Sequence, residues 1–207
     1  MSVKAVIPWK PANPKTRLSN CMGREEREVF ARCMLEDVIE VIVSAGCAPF
    51  LLSTHEFAYP DCPLVIDTRD LNAALNSYLE KNKEPLLIIM ADLPLAGREG
   101  IIQLITSDTD ISIVPGRGGG TNALFINPGN KFRVNYYGSS FLKHIEAAKN
   151  AGLSIKIIDS FLLHTDIDEE EDLVELFIHG NGKSKEFLKN RGFTLNSEHG
   201  RVGLRRT

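Results

Sequence analysis

Three observations predict an α/β fold, in the form of a three-layer α/β/α sandwich around a mixed, mostly parallel sheet. Short apolar runs alternate with longer segments of helical periodicity from the first residues onward. No internal repeat interrupts this alternation, and no linker-like composition divides the chain. The length of 207 residues suits one well-buried domain and is short for two. We therefore expect a single domain over residues 1–207, with helices covering both faces of the sheet.

The N-terminal half supplies four strands and two helices. Residues 3–7 form the first predicted strand, which Pro8 closes. Apolar residues recur at spacings of three and four over residues 24–45, which is one face of a long helix, and Gly46 follows where helices commonly end. The other elements predicted here are strands at 48–52, 63–66 and 86–90 and a helix at 71–81.

The C-terminal half continues the alternation. Predicted helices span residues 97–106 and about 141–148, the second ending at Gly152. Predicted strands span 111–114, 122–126 and 155–158, and the apolar pair 162–163 is expected to extend the sheet. From residue 169 to about 191 we expect helix, followed by an irregular, basic tail.

Composition excludes several classes of protein. The chain is 43% hydrophobic and 25% charged, as in ordinary globular proteins. Its net charge of -3 offers no concentrated basic surface, which disfavours nucleic acid as a partner. The apolar run before Pro8 is too short for a signal peptide, and no segment approaches the roughly 18 apolar residues of a membrane span. We expect a cytoplasmic protein whose four cysteines, with no CxxC pair, are free thiols.

Two acidic clusters follow apolar runs. Asp92 comes directly after the run at 86–90, and Asp166 and Asp168 follow a second apolar stretch. Ligands of open parallel sheets bind beyond the carboxyl ends of the strands, and Mg²⁺ prefers one or two carboxylates together with substrate phosphates. We therefore expect Asp92 and Asp168 to hold Mg²⁺. The alternative is that each aspartate caps the helix that follows it.

The loop after the first strand concentrates positive charge. Lys10, Lys15 and Arg17 lie within eight residues of one another, among three prolines. The first loop between strand and helix often holds a nucleotide's phosphates, so a triphosphate contact is expected, although a solvated basic loop is the alternative. Asn72, at the start of its predicted helix, could contact the base or sugar, or could cap the helix.

Two further segments could bind an anion. The glycine run at 116–120 lets a ligand approach the backbone, and Thr121 could donate a hydrogen bond. Gly138, Ser139 and Ser140 stand just before a helix, where hydroxyl and N–H groups could bind an anion or simply cap the helix.

Nucleophilic and zinc chemistry have no support in the sequence. There is no GxSxG motif, and the five histidines lack a metal-binding spacing such as HExxH. His144, one turn beyond Ser140, has no expected role.

These motifs, in this order, resemble the 2-phospho-L-lactate guanylyltransferase family of coenzyme F-420 biosynthesis. The matching segments are Pro8-x-Lys10-Pro11, Lys15-Thr16-Arg17-Leu18, Leu71-Asn72-Ala73-Ala74-Leu75, Ala91-Asp92-Leu93-Pro94, Gly120-Thr121-Asn122-Ala123-Leu124, Tyr137-Gly138-Ser139-Ser140-Phe141 and Asp166-Ile167-Asp168-x-x-x-Asp172-Leu173. They run from about residue 3 to residue 173. The resemblance implies a Rossmann-like nucleotide-diphospho-sugar transferase fold.

The resemblance also implies a reaction and a set of site residues. GTP and 2-phospho-L-lactate would give lactyl-2-diphospho-5′-guanosine and pyrophosphate, with Mg²⁺ as cofactor. The matching residues are the metal-binding Asp92 and Asp168, the acid-contacting Thr121, Gly138 and either Ser139 or Ser140, and the triphosphate-binding Lys10, Lys15 and Arg17. Among them we expect Lys15, Arg17, Asp92 and Asp168 to be catalytic, and Asn72 to contact GTP.

Three alternatives stay open from the sequence. The acceptor could be phosphoenolpyruvate, which differs from phospholactate by two hydrogens, or it could be a sugar phosphate or molybdopterin. The chain could also be a non-catalytic nucleotide-binding domain on the same fold. The basic tail at 201–206 and the helix near Phe187 could support a homodimer.

Overall fold

The computed structural model describes residues 2–57, 59, 62–127, 131–198 and 200–206, and its elements alternate as predicted. The first half contains β1 (Lys4–Pro8), a short 3-10 helix (Thr16–Leu18), α1 (Arg24–Ser44), β2 (Ala48–Ser53), β3 (Leu64–Ile66), α2 (Leu71–Lys81), β4 (Leu86–Ile89) and α3 (Arg98–Ile105). The second half contains β5 (Ile111–Pro115), β6 (Thr121–Ile126), α4 (Ser140–Asn150), β7 (Ile155–Ile157), α5 (Phe161–His164), α6 (Glu170–His179), α7 (Lys183–Asn190), β8 (Phe193–Glu198) and β9 (Arg201–Arg206).

The main sheet has seven strands in the order β3-β2-β1-β4-β6-β5-β7. Strand β6 runs antiparallel to β4 and β5, and every other neighbouring pair is parallel. This confirms the predicted mixed, mostly parallel sheet. The carboxyl ends of β1 and β4 are neighbours, which places the loop after Pro8 beside the turn that contains Asp92.

The side chains of β4 alternate between the two faces of the sheet and pack against the helical layer on each face. Leu87 and Ile89 pack with residues of α1 and α3 on one face, while Leu86 and Ile88 pack with residues of α2 and α4 on the other. All four side chains are at most 2% exposed. Truncating any one of them to alanine would cost about 2–5 kcal/mol, since the close-packed sandwich can relax little around the cavity.

Helix α1 ends as its sequence predicts. Its C-cap is Ala45, and Gly46 follows with φ of 80°, a left-handed conformation that glycine adopts without a steric penalty. At its other end the Glu26 side chain accepts the Gly23 backbone N–H at 3.1 Å. The long helix is therefore fixed at both ends, and its N-terminal half becomes a platform for the loop that precedes it.

The strand predicted at residues 162–163 is wrong. These residues belong to the short helix α5, and the Ser160 hydroxyl accepts the Leu163 N–H at its start. An apolar pair is too short to identify a strand, and Phe161 and Leu162 are exposed here, whereas Leu163 is buried. Asp168 consequently follows a helix and a short irregular segment and does not stand at a strand end.

The C-terminal region departs from prediction in two ways. The helix expected over residues 169–191 is two helices, α6 and α7, and the Asp37 carboxylate of α1 accepts the N–H groups of Lys183 and Ser184 at the start of the second. The tail expected to be irregular forms the antiparallel hairpin β8–β9. The strand propensity of these residues is weak, so the hairpin is explained by the packing of Phe193 and Leu204 against α1, α6 and α7.

The two features that suggested a homodimer have partners within the chain. Phe187 is buried and its ring lies 5.7 Å from that of Phe30, and Arg206 binds the Glu26 carboxylate at 2.6 and 2.9 Å. The homodimer stays a prediction without these supports. None of the helices in the described ranges has the length and apolar character needed to cross a membrane.

Candidate active site

Lys15, Asp92 and Asp168 converge although they are far apart in sequence. The Lys15 ammonium lies 2.7 Å from Asp92 Oδ2 and 2.5 Å from Asp168 Oδ1. The lysine side chain is 10% exposed, against 27% and 37% for the two carboxylates. The arrangement confirms that the two acidic segments meet, and it adds a cation that the sequence placed only in a phosphate-binding loop.

Backbone hydrogen bonds explain this convergence. The Ile167 N–H donates to the Asp92 carbonyl at 3.0 Å, which joins the two acidic segments directly. The Asp172 carboxylate accepts the N–H groups of Asp168 at 2.9 Å and Glu169 at 2.8 Å, which fixes the second segment against the start of α6. Glu169 is the N-cap of α6 and Gly97 that of α3, so the alternative in which the aspartates are caps is wrong.

The loop that carries Lys15 is held in an unusual conformation. Asn13 and Lys15 have φ of 47° and 52°, left-handed values that are uncommon for residues other than glycine. Arg27 of α1, which is 7% exposed, donates to the Pro14 carbonyl at 3.2 Å, the Met22 carbonyl at 3.0 Å and Asn13 Oδ1 at 3.0 Å. Such strain persists where surrounding contacts impose it and is common at functional sites. Arg27 was not among the residues predicted from sequence, because a single arginine on a helix carries no local signal.

Charge at the site is unevenly balanced. Burial alone would lower the pKa of Lys15, but the charges and hydrogen bonds of Asp92 and Asp168 outweigh it, and the pKa is raised. Burial, followed by the charge of Asp92 and then that of Asp168, raises the pKa of Asp166. Lys15 and Arg17 are the two cations paired with this group, against the carboxylates of Asp92, Asp166, Asp168 and Glu169, so an excess of negative charge remains and favours an additional cation.

The donor atoms fit a hard divalent cation. Asp92 Oδ1 is buried and has no hydrogen-bond partner among the described residues, an arrangement that is costly for a carboxylate oxygen. No group of three or more histidine, cysteine, aspartate or glutamate side chains in the described ranges forms a metal site. Mg²⁺ does not require three protein ligands, since it binds through one or two carboxylates and fills its remaining coordination positions with water and substrate oxygens.

The other two predicted cations occupy different positions. Arg17 is 65% exposed, and its guanidinium lies 3.4 Å from Asp168 Oδ2 and 3.6 Å from Glu169 Oε1. Lys10 is exposed and lines a cleft of about 380 Å³ together with Trp9, which we call the first cleft. Arg17 therefore joins the carboxylate group, and Lys10 is separate from it.

Asn72 is engaged by the backbone of a neighbouring segment. Its side-chain oxygen accepts the Tyr136 N–H at 2.6 Å, and its amide donates to the Tyr136 carbonyl at 3.2 Å. Helix capping by Asn72 is wrong, because the Asp70 side chain accepts a backbone N–H at 3.0 Å and caps α2. One amide hydrogen of Asn72 is left over, so its contact with GTP stays a prediction.

A further cleft, which we call the second cleft, has a volume of about 580 Å³. Its lining residues are Arg17, Gly116, Arg117, Gly118, Gly120, Asn122, Gly138, Asp166, Asp168, Glu169, Glu171 and Asp172. The glycine loop is fixed on both sides. A Cβ at Gly116 would collide with the Asn122 side chain, so only glycine fits there. Arg117 forms an ion pair with Asp172, which ties the loop to the segment of Asp168. Gly138 lines this cleft, whereas Tyr137 lines the first, so the two clefts adjoin.

Three hydroxyls are predicted to contact the acid, and each belongs to a residue that stands within two positions of a lining residue of the second cleft without lining it itself. Thr121 and Ser140 are buried, and Ser140 Oγ donates to Thr121 Oγ1 at 3.2 Å. Ser139 is exposed, and it is the N-cap of α4 without a side-chain cap hydrogen bond. His144, to which the sequence analysis gave no role, is 1% exposed and lies 2.9 Å from Thr121 Oγ1 through Nδ1.

The fold and this site define a class of protein. Solved structures with the same fold include a protein from Desulfovibrio desulfuricans assigned to the nucleotide-diphospho-sugar transferases, with a TM-score of 0.72 at 15% identity over 92% of this chain and 96% of that one. The 2-C-methyl-D-erythritol 4-phosphate cytidylyltransferase of Thermus thermophilus has a TM-score of 0.52 at 11% identity, covering 91% of this chain and 100% of that one. The fold is that of the nucleotidyltransferases.

Sequence similarity identifies the family within this class. The chain belongs to the family described as "Guanylyl transferase CofC like", whose sequence model matches residues 3–207. It is 54% identical to the 2-phospho-L-lactate guanylyltransferase of Methanoregula boonei, over 100% of this chain and 96% of that protein. It is 49% identical to the protein of the same name in Methanosphaerula palustris, over 100% and 99%. The family expected from the sequence motifs is confirmed.

Proposed function

We propose that this protein joins GTP to 2-phospho-L-lactate, forming lactyl-2-diphospho-5′-guanosine and pyrophosphate in coenzyme F-420 biosynthesis. The observation that carries the proposal is the Lys15 ammonium held between Asp92 and Asp168. Asp168 lines the second cleft, and Lys15 lines a small recess that shares Trp9 with the first cleft. Family membership and relatives at about half identity over the whole chain support the same reaction.

The two substrates are assigned to the two clefts. The nucleotide takes the first cleft, where Lys10 and the end of α2 that carries Asn72 offer contacts to phosphate and sugar or base. The phosphorylated acid takes the second cleft, close to Thr121, Gly138 and the serine pair Ser139–Ser140. Their reacting phosphates then meet near Lys15, which borders a small recess shared with Trp9 of the first cleft.

The chemical step is an in-line displacement at phosphorus. A phosphate oxygen of the acid forms a bond to the α-phosphorus of GTP, the bond from that phosphorus to the bridging oxygen breaks, and pyrophosphate leaves with the electron pair. Transfers of this type depend on positioning and charge neutralisation. The acceptor phosphate, with a second pKa near 6, is already largely ionised near neutral pH, so no general base is needed.

The chain's own residues supply the neutralisation. Lys15 and Arg17 are the cations beside the aspartates and stabilise charge that develops on the leaving pyrophosphate. Asp92 and Asp168 would hold Mg²⁺, which when bound screens the repulsion between the two anionic substrates. The buried, unpartnered Asp92 Oδ1 supports this assignment.

A panel of acceptor acids tests the proposal. Purified protein with GTP and MgCl₂ is incubated with 2-phospho-L-lactate, phosphoenolpyruvate or a sugar phosphate, and pyrophosphate release is followed. Release with phospholactate is expected, together with a product that has the mass of lactyl-2-diphospho-5′-guanosine. Release only with another acid would reassign the acceptor, and no release with any acid would contradict transferase function. ATP in place of GTP tests the choice of base in the same assay.

We further propose that residues 1–207 act as one nucleotidyltransferase domain. The packing of α6, α7 and the hairpin β8–β9 on α1 supports this, because the C-terminal elements share a hydrophobic cluster with the sandwich helix. The cytoplasmic location and the homodimer stay predictions.

A further inference from the structure

His144 is a buried titratable group to which the proposed reaction gives no part. It lies on α4, 1% exposed, with its ring centroid 5.8 Å from that of Phe132 and 5.0 Å from that of Tyr136. The Asn135 backbone N–H donates to His144 Nε2 at 2.8 Å. A backbone N–H can only donate, so Nε2 must accept and cannot carry a proton.

The position of the ring proton follows. A neutral imidazole with an accepting Nε2 has its hydrogen on Nδ1, which lies 2.9 Å from Thr121 Oγ1. The neutral form is favoured because burial, and to a smaller extent the charge of Lys143, lowers the pKa of His144 to about 4. His144 Nδ1–H therefore donates to the Thr121 hydroxyl oxygen.

Thr121 is left with one unused hydrogen-bonding group. Its hydroxyl oxygen has two lone pairs, and it accepts from His144 and, at 3.2 Å, from Ser140. With both lone pairs engaged, only the hydroxyl proton remains, and it meets no acceptor within the part of the chain described. Gly120 and Asn122, the residues on either side of Thr121, both line the second cleft.

We propose that His144 is a positioning residue that fixes the Thr121 hydroxyl as a hydrogen-bond donor to an anionic oxygen of the small phosphorylated acid. The inference rests on the proposed function insofar as that function places the acid in the second cleft. A hydroxyl free to rotate could present a lone pair to the anion, which would repel it. The two hydrogen bonds that link Asn135 to His144 and His144 to Thr121 exclude that orientation before the acid binds.

Two amide substitutions separate the positioning role from simple packing. His144→Asn places its amide nitrogen as many bonds from Cα as Nδ1 and keeps the donor to Thr121. His144→Gln places its amide oxygen at the level of Nε2, so that it keeps the acceptor for the Asn135 N–H and loses the donor. Both variants lose the ring packing against Phe132 and Tyr136, which makes each the control for the other.

The expected result is a selective effect on the acid. In His144→Gln the KM for phospholactate rises about 10- to 100-fold, the range for losing one hydrogen bond to a charged group, and the KM for GTP changes less than twofold. In His144→Asn both constants stay within about threefold of the starting protein. Equal changes for the two substrates, or equal changes in the two variants, would overturn the proposal. If neither variant folds, Thr121→Val and Thr121→Ser test the hydroxyl donor, which only Ser retains, and the tautomer of His144 in the starting protein then decides the positioning role.

A spectroscopic measurement is independent of turnover. Nitrogen-15 NMR of the labelled protein should show His144 as the Nδ1–H tautomer at pH 7 and still neutral at pH 5.5. An Nε2–H tautomer or an imidazolium would overturn the inference even in an active enzyme. If the acid panel shows no turnover, the proposed function fails separately. The positioning role of His144 is then tested by its tautomer and by calorimetric binding of phospholactate to His144→Gln and His144→Asn.

Discussion

Replacing Lys15 with methionine removes the ammonium from between the two aspartates while keeping an unbranched side chain that is one atom shorter. The two carboxylates then face each other without the cation that lies 2.7 and 2.5 Å from them. The nearby Asp166, whose pKa is raised by burial and then by the same two carboxylates, adds to the repulsion. We expect Lys15→Met to lower both the free energy of unfolding and the rate of catalysis.

The size of the stability loss follows from burial. Removing one partner of a fully buried ion pair costs about 3–5 kcal/mol. Here Asp168 is 37% exposed and Asp92 27%, so water screens much of the uncompensated charge, and we expect about 2 kcal/mol. In a protein of 207 residues this corresponds to a fall in Tm of roughly 4–8 °C. Losing one preorganised cation should lower kcat by about 100- to 1,000-fold.

The assay is thermal unfolding of Lys15→Met beside Lys10→Met, a lysine exposed on the same loop. Lys10→Met should shift Tm by about 2 °C at most, as surface substitutions usually do. Millimolar MgCl₂ should restore most of the stability lost in Lys15→Met, because a divalent cation can take over the neutralisation of Asp92 and Asp168. A Lys15→Met protein with unchanged Tm and unchanged kcat would contradict this role of Lys15, and so would a stability loss that MgCl₂ does not reverse.

Three further predictions concern the supports of the site. Arg27→Met breaks three hydrogen bonds and releases the left-handed loop. The free energy of unfolding measured in urea should fall by about 2–3 kcal/mol and kcat by about 10- to 100-fold. Arg24→Met, at an exposed position of the same helix, is the control. Asp172→Asn loses the charge paired with Arg117 and one oxygen beside the Asp168 N–H, so kcat should fall about tenfold. The exposed Glu170→Gln, on the same helix and outside the second cleft, should match the starting protein, and equal rates in both variants would disprove the coupling. The pKa of His144 is about 4 in the folded protein, against 6.5 in the unfolded chain, so the unfolded state binds more protons between these pH values. The free energy of unfolding should therefore fall by about 3 kcal/mol as pH drops from 6.5 to 4. Urea titrations of His144→Gln should lack this pH-dependent loss.

Strong periodicity made the sandwich predictable from sequence. The apolar face of α1 and the glycine after it defined the helix and its end, and the buried run of β4 identified a central strand followed by Asp92. Weak or short patterns failed. An apolar pair at 162–163 could not distinguish strand from helix, and the hairpin β8–β9 depends on packing against α1 and α6 more than on strand propensity.

The site was predictable in its charges and not in its arrangement. Asp92 and Asp168 could be paired because acidic residues followed buried segments, but the hydrogen bond from the Ile167 N–H to the Asp92 carbonyl, which joins the two segments, has no sequence signature. Lys15 was expected to bind phosphate, and its position between the aspartates depends on a left-handed backbone whose neighbouring residues Asn13 and Pro14 are held by Arg27 of α1. Contacts of that kind arise from tertiary structure alone.

The most direct test of the account is pyrophosphate release from GTP and 2-phospho-L-lactate by the starting protein and by Asp92→Asn. Asparagine keeps the shape of the side chain and removes the charge beside Lys15 that is also proposed to hold Mg²⁺. We predict steady release by the starting protein, and release by Asp92→Asn that is lower by at least about 100-fold although its Tm stays within a few degrees. Near-normal release by Asp92→Asn, or no release by the starting protein, would contradict the assignment of guanylyl transfer to this site.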